Sequence, residues 1–290
     1  MFKIAILGCE NSHADTFLKT IKNENITDVE VIGVYSYDTE AAEKLSRAFG
    51  VRVAKNYDEF VGEIDGLVIT ARHGDNHYKY AKPYLDSKIP IFIDKPITIS
   101  EKEAVEFMNI LKENKIPACG GSMCIYSDLV LELKEAIANG ELGAVIGGHI
   151  RTPLVTESEH GGFYFYSQHL VHVACELFGY FPNAVSTFKC ENKVTVILHY
   201  DNYDITGLYL DNTNFWVYSV GVAFEKGFLG RKDDLKNAGS REFHSFYDIL
   251  KGEPQHMSYD ELFSPVFIMN AIKRSMESGK TEKVRRAEEI

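Results

Sequence analysis

The sequence predicts an α/β fold with two parts: an N-terminal doubly wound parallel sheet, and a C-terminal α/β domain with an open, mainly antiparallel sheet. Up to about residue 120, short apolar runs alternate with amphipathic helical patterns, which is typical of β-α-β crossovers. Beyond that point, longer strand-like runs follow one another across turn signals without intervening helices. We therefore expect two domains, at residues 1–120 and 121–290.

Five strand candidates define the N-terminal domain, and each is nearly continuous in Val, Ile and Leu. Such runs indicate strands that are covered on both faces of a sheet. In chain order they are FKIAILG, VEVIGVYS, IDGLVITA, IPIFID and IPACGGS. Between them, the helical pattern TEAAEKLSRAFG ends at Gly50, a typical C-cap, and SEKEAVEFMNILKEN opens with Ser100 and Glu103 at capping-box spacing.

The C-terminal domain is predicted from five longer runs: AVIGGHIRT, NAVSTFKC, KVTVILHY, ITGLYL and FWVYSVGVAF. In the third run, Val194, Val196, Leu198 and Tyr200 alternate strictly, which indicates a sheet with one covered face and one open face. The turn signals YDNYD and LDNTN separate neighbouring runs, so we expect an antiparallel meander. The final pattern, SYDELFSPVFIMNAIKRSMESGK, has an apolar face and predicts a packing helix.

Charge and composition argue against several classes of protein. The formal net charge of −11 disfavours nucleic acid or an anionic membrane as a main partner. No apolar run is long enough to span a bilayer, and the N-terminal residues do not form a signal peptide, so we expect a cytoplasmic protein. The five cysteines are odd in number and contain no CxxC pair, which predicts reduced thiols.

The turn after the first strand resembles part of a dinucleotide-binding fingerprint. Gly8 stands at the first glycine of G-x-G-x-x-G, whereas Glu10 and His13 occupy the second and third glycine positions. The following helix offers backbone N–H groups and a positive dipole end to a phosphate, and Asn11 and Ser12 could donate further hydrogen bonds. From the motif alone, a pyrophosphate turn and a plain strand-helix connection both remain open.

The tip of the second strand bears on the choice between NAD and NADP. A carboxylate there usually binds the adenosine ribose hydroxyls, but this chain has Ser36, followed by Tyr37 and Asp38. Because Ser36 leaves room for a 2′-phosphate and removes a repelling charge, NADP is slightly favoured. Asp38 is expected to be the N-cap of the next helix instead of a ribose ligand.

The stretch IDKPITIS places Asp94, Lys95 and Pro96 at the tip of another strand of the predicted parallel sheet. A lysine beside a nucleotide cleft can contact both the nicotinamide ribose and a substrate oxygen, and Pro96 fixes the turn that aims it. The alternative is a solvated surface lysine after a strand.

At this point the chain resembles the Gfo/Idh/MocA family of glucose-fructose oxidoreductase and inositol 2-dehydrogenase, over nearly its whole length. IDKPITIS resembles the family's [E/D]KP motif, and LVITARHGDNHYKYAKPYLDSKIPIFIDKP resembles the strand, loop and helix that lead to it. ELKEAIANGELGAVIGGHIRT is similar to the entry into the second sheet. The resemblance implies an NAD(P)-binding Rossmann domain followed by a substrate-binding and oligomerisation domain.

The resemblance also implies a set of cofactor-binding residues. His77 stands where members commonly have a histidine, while Arg72-His73-Gly74 replaces the usual TPN, and Arg72 could add a positive contact to cofactor or substrate. The expected cofactor-binding residues are Gly8, Asn11, Ser12, His13, Ser36, Tyr37, Ala71, Arg72, His73, His77, Asp94 and Lys95.

The catalytic helix of the family resembles GGFYFYSQHLVHVACELFG. Counting back from the final LFG places His169 at the family's histidine and Phe165 where an Asp is usual. An alternative register uses Gln168 and His172, but it spoils the spacing to LFG. In both registers the carboxylate is missing, so the chain is expected to be a divergent member.

By this resemblance, His169 is the acid/base and Lys95 contacts the reacting oxygen and the ribose. Hydride transfer from an alcohol requires such a base and such a positive partner. Without the Asp, the orienting role falls to Tyr164, Tyr166 or His172, each of which is more often a pocket-lining residue. The expected catalytic residues are thus Lys95, His169, Tyr166 and His172.

The implied activity is an NAD(P)-dependent oxidoreductase acting on the CH–OH group of a sugar, polyol or related small compound. The alternative is a non-catalytic NAD(P)- or sugar-binding sensor or regulator of the same fold. His169, His172 and Glu176 have a spacing that can bind zinc, but the family requires none and no metal is expected. The apolar run FWVYSVGVAF suggests a homodimer or homotetramer through the C-terminal sheet.

Overall fold

A computed structural model describes residues 1–153, 155, 157–210 and 218–290. The chain folds into two compact units, each made of two separate stretches of sequence. The first unit contains Met1–Gly121 and Gly239–Leu262. The second unit contains Ser122–Ala238 and Phe263–Ile290.

The first unit is built on a six-stranded sheet whose strand pairs are all parallel, in the order β3-β2-β1-β4-β5-β6. This confirms the predicted doubly wound parallel sheet. Only the short edge strand β3 was not predicted. The strands are β1 (Phe2–Leu7), β2 (Val29–Tyr35), β3 (Arg52–Val53), β4 (Gly66–Ile69), β5 (Ile91–Asp94) and β6 (Ala118–Gly121).

Four helices connect the strands of this sheet: α1 (Ser12–Asn23), α2 (Thr39–Phe49), α3 (Asp75–Ala81) and α4 (Glu101–Asn114). A 3₁₀ turn, Lys82–Ser87, extends α3. The predicted helix ends are confirmed. Gly50 caps α2 in a left-handed conformation with φ 74°, and the Ser100 hydroxyl accepts the Glu103 amide at 3.4 Å at the start of α4.

A later helix, α7 (Ala238–Leu250), completes the core of the first unit. Phe243 packs edge-to-face on Phe17 with ring centroids 5.3 Å apart, and Phe246 meets Phe92 at 6.4 Å. These four rings are fully buried. The sequence placed residues 239–262 in the C-terminal domain, whereas the structure groups Gly239–Leu262 with the first unit. The apolar face of α7 covers the parallel sheet, so this segment belongs to the first unit.

The second unit contains a seven-stranded sheet in the order β12-β11-β7-β10-β9-β8-β13. Its pairs are antiparallel apart from β7 and β10, which run parallel. The mainly antiparallel sheet is confirmed, but it is not a simple meander. The strands are β7 (Val145–Pro153), β8 (Ala184–Cys190), β9 (Lys193–His199), β10 (Asp204–Leu210), β11 (Tyr218–Phe224), β12 (Gly227–Asp233) and β13 (Glu282–Lys283).

Helices cover one face of this sheet. They are α5 (Asp128–Asn139), α6 (Tyr164–Phe178) and α8 (Tyr259–Ser278), with 3₁₀ turns at Met123–Tyr126 and Ala287–Glu289. Val194, Val196 and Leu198 are buried, as the alternation in β9 predicted. The predicted apolar face of the last helix is buried as well: Phe267, Ile268, Ala271 and Ile272.

Two predictions fall partly outside the described residues. The first three positions of FWVYSVGVAF, residues 215–217, lie there, and its remainder forms β11. The LDNTN turn signal lies there from residue 211 onwards. Within the described ranges, no helix has the length and hydropathy needed to cross a membrane.

Candidate functional site

The turn between β1 and α1 depends on a glycine at position 8. Gly8 has φ 79°, and a Cβ atom built there would lie 2.3–2.5 Å from the atoms of the buried Ala71. The Gly8 amide donates to the Tyr35 carbonyl at 2.7 Å, and the Thr70 hydroxyl donates to the Gly8 carbonyl at 3.1 Å. Ala71 thus supports the turn from the loop after β4, and only glycine fits beside it.

The side chain at the N-cap position does not cap the backbone amides at the start of α1. Asn11 occupies the N-cap position but makes no side-chain cap hydrogen bond, because its amide donates to Asp94 Oδ2 at 2.6 Å. Ser12 is exposed at the first helical position. First-turn amides at the carboxyl edge of a parallel sheet form a favourable place for a phosphate group.

Glu10 joins three loops at this edge of the sheet. One carboxylate oxygen accepts the Ser36 hydroxyl at 2.6 Å, and the other accepts the backbone amide of Arg72 at 3.1 Å. The side chain therefore extends sideways towards the ends of β2 and β4. The residue as a whole is half-buried.

The residues after β2 have distinct positions. The buried Ser36 hydroxyl donates to Glu10 and accepts the Asp38 amide at 3.0 Å. Asp38 caps α2 by accepting the Ala41 amide at 3.2 Å, which confirms its expected role as an N-cap. Tyr37 is 53% exposed. The Glu10 carboxylate therefore lies beside Ser36, the position where the sequence has no acidic residue.

His13 is turned into the interior of the first unit. Its Nδ1 lies 2.7 Å from Glu242 Oε2 on α7 and 3.5 Å from Asp94 Oδ1. Burial alone would lower the pKa of His13, but the carboxylates of Asp94 and Glu242 raise it to about 9. Burial raises the pKa of Glu242, which the imidazolium partly offsets. The structure thus places the Nδ1 of His13, an expected cofactor-binding residue, in a buried ion cluster.

Asp94 ends β5, and Lys95 and Pro96 follow it, as the sequence predicted. Asp94 is fully buried, and its Oδ1 accepts the Lys95 backbone amide at 2.7 Å. The Lys95–Pro96 peptide bond is cis. Lys95 is only 4% exposed, so the interpretation of a solvated surface lysine does not hold.

The loop after β4 places its residues unevenly. His77 is fully buried, with Nε2 2.8 Å from the Ala71 carbonyl and Nδ1 2.7 Å from the Pro96 carbonyl. Burial lowers the pKa of His77, and its two ring nitrogens face backbone carbonyls of the loops after β4 and β5. His73 is half-exposed and accepts the Asp75 amide at 3.3 Å. Arg72 contributes its backbone amide to Glu10.

In the second unit, two histidines of α6 meet one serine. Ser122 lies directly after β6 and is fully buried. Its hydroxyl is 2.7 Å from His169 Nδ1, and its backbone amide donates to His172 Nδ1 at 2.9 Å. The Cys124 amide donates to the same hydroxyl at 3.2 Å, which fixes its position. The Ser122 hydroxyl therefore lies against His169 Nδ1, and the Cys124 Sγ lies 3.5 Å from the same nitrogen.

The aromatic candidates divide between two environments. Tyr166 lies beside His169 with ring centroids 5.4 Å apart, and Tyr218 meets the same imidazole edge-on at 6.0 Å. Tyr164 instead donates its hydroxyl to Asn270 on α8 at 2.9 Å. Of the three residues proposed to orient His169, Tyr166 adjoins the ring and His172 is linked to it through Ser122.

The alternative zinc interpretation of α6 finds no geometric support. Glu176 is engaged by Lys134 and by the Tyr180 hydroxyl. Among the residues that the structure describes, the His, Cys, Asp and Glu side chains close enough to share an ion are His13, Asp94 and Glu242. These three side chains pair with one another in the structure, with His13 Nδ1 2.7 Å from Glu242 Oε2 and 3.5 Å from Asp94 Oδ1.

Sequence reasoning did not identify three of the contacts described above. Ser122 was noted only as the end of a strand, although a hydroxyl at the carboxyl end of a parallel strand is a usable signal. Glu242 lies 229 positions from His13 in the numbering and carries no local motif. Glu10 was recognised as a departure from the glycine pattern, but its direction depends on Ser36 and Arg72.

Comparison with known proteins identifies the N-terminal part of the chain. Residues 2–119 match the profile of the Gfo/Idh/MocA family, described as an oxidoreductase family with an NAD-binding Rossmann fold. The fold of the whole chain is similar to that of a myo-inositol dehydrogenase from Corynebacterium glutamicum, with a TM-score of 0.85, 16% identity, and coverage of 98% of this chain and 99% of that one.

The fold is also similar to that of scyllo-inositol dehydrogenase from Lactobacillus casei, solved with bound NAD(H) and scyllo-inositol. The TM-score is 0.86 at 13% identity, with coverage of 98% of this chain and 99% of that one. Identities this low establish similarity of fold alone.

A sequence relative is the glucose-6-phosphate 3-dehydrogenase of Bacillus subtilis, which is 32% identical over 149 residues. The alignment covers 50% of this chain and 41% of the relative, so the chain spans about two fifths of that enzyme's length. The profile match over residues 2–119, the parallel sheet and this relative agree. Residues 2–119 therefore match the NAD-binding Rossmann fold of the Gfo/Idh/MocA oxidoreductase family.

Proposed function

We propose that the protein is a nicotinamide-dependent oxidoreductase acting on the CH–OH group of a sugar, polyol or related small compound. The observation that carries this proposal is the turn at Gly8. The closely packed glycine and the uncapped start of α1 form a cradle that suits a pyrophosphate. Glu10 does not oppose this fit, because its side chain extends towards Ser36 and the Arg72 amide.

The cofactor would be held at the carboxyl edge of the parallel sheet in the first unit. Its pyrophosphate would rest on the first turn of α1, next to Gly8 and Ser12. Asn11 holds Asp94 in place, and Asp94 in turn fixes the backbone at Lys95. When bound, the nicotinamide supplies or accepts the hydride.

His169 is assigned the acid/base role in the second unit. Its Nδ1 faces the Ser122 hydroxyl at 2.7 Å, so we assign proton exchange with the substrate to Nε2. Ser122 acts as a positioning residue, because its hydroxyl is itself fixed by the Cys124 amide. Tyr166 and His172 border this pair. The hydroxyl of Ser122 takes over the orienting task that the missing carboxylate leaves open.

Lys95 is assigned the contact with the reacting oxygen and the nicotinamide ribose. A buried ammonium stabilises negative charge that develops on an alcohol oxygen as its proton leaves. Its neighbour Asp94 is held by Asn11 and lies 3.5 Å from the His13 ring, so the Lys95 backbone is anchored in a rigid polar cluster.

Sugars and polyols are proposed as substrates because two proteins of similar fold are named inositol dehydrogenases and a sequence relative is named a glucose-6-phosphate 3-dehydrogenase. A non-catalytic sensor is less well supported, since Ser122 gives His169 an orienting partner. A cytoplasmic location agrees with this substrate class and remains part of the proposal.

A homo-oligomer assembled through the C-terminal sheet is also proposed. On the face opposite Val194 and Val196, Phe188 is 61% exposed and Phe228 is 54% exposed. The Phe228 ring is stacked on His149 at 5.7 Å, which holds it flat against the sheet. Exposed aromatic side chains of this kind favour association with a second copy.

Two measurements on the full chain test the function. Isothermal calorimetry with NAD and NADP measures cofactor binding, and a spectrophotometric screen of inositols, hexoses and hexose phosphates measures hydride transfer. We expect micromolar binding of a cofactor and turnover that is lost in Lys95→Ala and His169→Ala. Binding without turnover of any compound would favour the sensor, and no binding of either cofactor would contradict the proposal.

A further inference from the structure

We propose that Glu10 is the residue that binds the adenosine ribose and selects NAD over NADP. The inference rests on the proposed cofactor binding and concerns the same edge of the sheet. In parallel sheets of this kind, an acidic residue at the end of the second strand accepts hydrogen bonds from the ribose hydroxyls and repels a 2′-phosphate. This chain has Ser36 at that position, and the carboxylate comes from the first turn instead.

The position of the Glu10 carboxylate supports this assignment. It accepts a 2.6 Å hydrogen bond from the hydroxyl of Ser36, the side chain that replaces the usual acid. β1 and β2 are neighbours in the sheet, and their carboxyl ends meet at one edge. The side chain of Glu10, which follows β1, thus places its carboxylate near the position that an acidic residue at the end of β2 would occupy.

The Glu10 carboxylate keeps acceptor capacity at this point. The Ser36 hydroxyl donates to Glu10 and accepts the Asp38 amide, and the Asp38 carboxylate caps α2. A carboxylate has about four lone-pair sites. Glu10 uses one site on each oxygen, for Ser36 and for the Arg72 amide, so both oxygens can accept a further hydroxyl.

The two protein contacts also fix where the charge lies. They hold the carboxylate on both sides, between the loop after β2 and the loop after β4. Because the side chain is half-buried, the fixed charge is screened less than one on an open surface. A 2′-phosphate placed beside it would meet a negative charge that cannot swing away.

Glu10→Gln is the matched substitution, because glutamine keeps the shape and can still accept the Arg72 amide while it donates to Ser36. Isothermal calorimetry on the full chain gives Kd values for NAD and NADP. We expect the wild type to bind NAD at least about tenfold more tightly than NADP. In Glu10→Gln the ratio should fall about tenfold or more, since a hydrogen bond to a charged group is lost together with the repulsion.

Two further variants sharpen the test. Glu40→Gln removes an exposed carboxylate from the first turn of α2 and changes the net charge equally, so it should leave the ratio unchanged. Glu10→Gln combined with Ser36→Asp returns the carboxylate to the β2 tip and should restore the preference for NAD. Thermal melts without cofactor check that each variant is folded.

The outcomes separate the two proposals. Equal or tighter binding of NADP by the wild type, or an unchanged ratio in folded Glu10→Gln, overturns the role of Glu10 and leaves cofactor binding intact. Failure of the wild type to bind either dinucleotide overturns both.

Discussion

The Asp expected four residues before His169 is Phe165 in this chain, and a hydroxyl from outside the helix contacts the imidazole instead. A carboxylate favours the imidazolium form of its neighbour, whereas a hydroxyl carries no charge and mainly orients the ring. The backbone amide of Ser122 also donates to His172 Nδ1, so both histidines contact the same residue. At the scale of single residues, His169 therefore has a polar partner for its ring, but that partner carries no charge.

Ser122→Ala is expected to lower kcat about tenfold or more with little change in KM, because His169 loses the group that orients it for proton transfer. In Ser122→Asp, the added carboxylate favours the imidazolium, so the acid limb of the kcat/KM profile should move to higher pH. Steady-state kinetics between pH 5 and 9 measure both effects.

Ser127→Ala is the control for Ser122→Ala. Ser127 is also fully buried, and its hydroxyl caps α5 by accepting the Val130 amide at 3.2 Å, without contacting either histidine. It should lower stability while leaving kcat and the pH profile unchanged. Equal losses of kcat in the two variants would contradict a positioning role for Ser122.

The His13 cluster predicts a loss of stability at alkaline pH. The folded-state pKa of His13 is about 9, above its ordinary 6.5, so its stabilisation is complete below pH 6.5 and disappears as the pH rises through 9. The shift corresponds to about 3 kcal/mol at most. Urea midpoints measured from pH 6 to 10 should therefore fall at the upper end.

Glu242→Gln should move that fall to lower pH, because one of the two carboxylates that hold the imidazolium is gone. His244→Asn is the control on the same helix: His244 is paired with Glu24 at the surface, and its loss should leave the fall near pH 9. A midpoint for the alkaline loss that does not move in Glu242→Gln would contradict the assignment to His13.

Elements with a strong local pattern were predictable, and elements defined by distant partners were not. The continuous Val and Ile runs fix β1, β2, β4 and β5 because a strand covered on both faces needs apolar residues throughout. The strand β3 has two residues, which is too short for a pattern. The parallel pairing of β7 with β10 joins strands far apart in the chain, and no local signal encodes it.

The helix α7 illustrates why the site was also only partly predictable. Its apolar face, with Phe243 and Phe246, could be read as a packing face, but the sequence does not say which sheet it covers. Glu242 lies on the same helix, so the His13 cluster depended on that assignment. Residues at strand tips, such as Ser36 and Lys95, were found because carboxyl ends of parallel strands meet at one edge.

At the scale of the whole molecule, the first unit is discontinuous: Met1–Gly121 needs Gly239–Leu262 to complete its core. Phe243, Phe246, Ile249 and Leu250 are all buried in that core. Each such side chain contributes about 1.5–3 kcal/mol by burial. A chain ending at Gly121 should therefore lack a cooperative thermal transition and should bind hydrophobic dyes.

Joining residues 1–121 to residues 239–262 by a flexible Gly/Ser linker should restore cooperative unfolding, measured by circular dichroism and calorimetry. Phe246→Ser in the linked chain is the control and should remove most of the gain, because a polar side chain would face Phe92. If residues 1–121 alone unfold with the same midpoint as the linked chain, the contribution of α7 has been overestimated.

The same discontinuity has a consequence for synthesis. A ribosome that has just added Gly121 must add about 140 further residues to reach Leu262. This takes roughly 7–28 s at bacterial to eukaryotic rates. During that interval the parallel strands have been made while the helix that closes them has not. The nascent chain thus carries an open apolar sheet face while most of the second unit is made, and chaperones have that long to bind it.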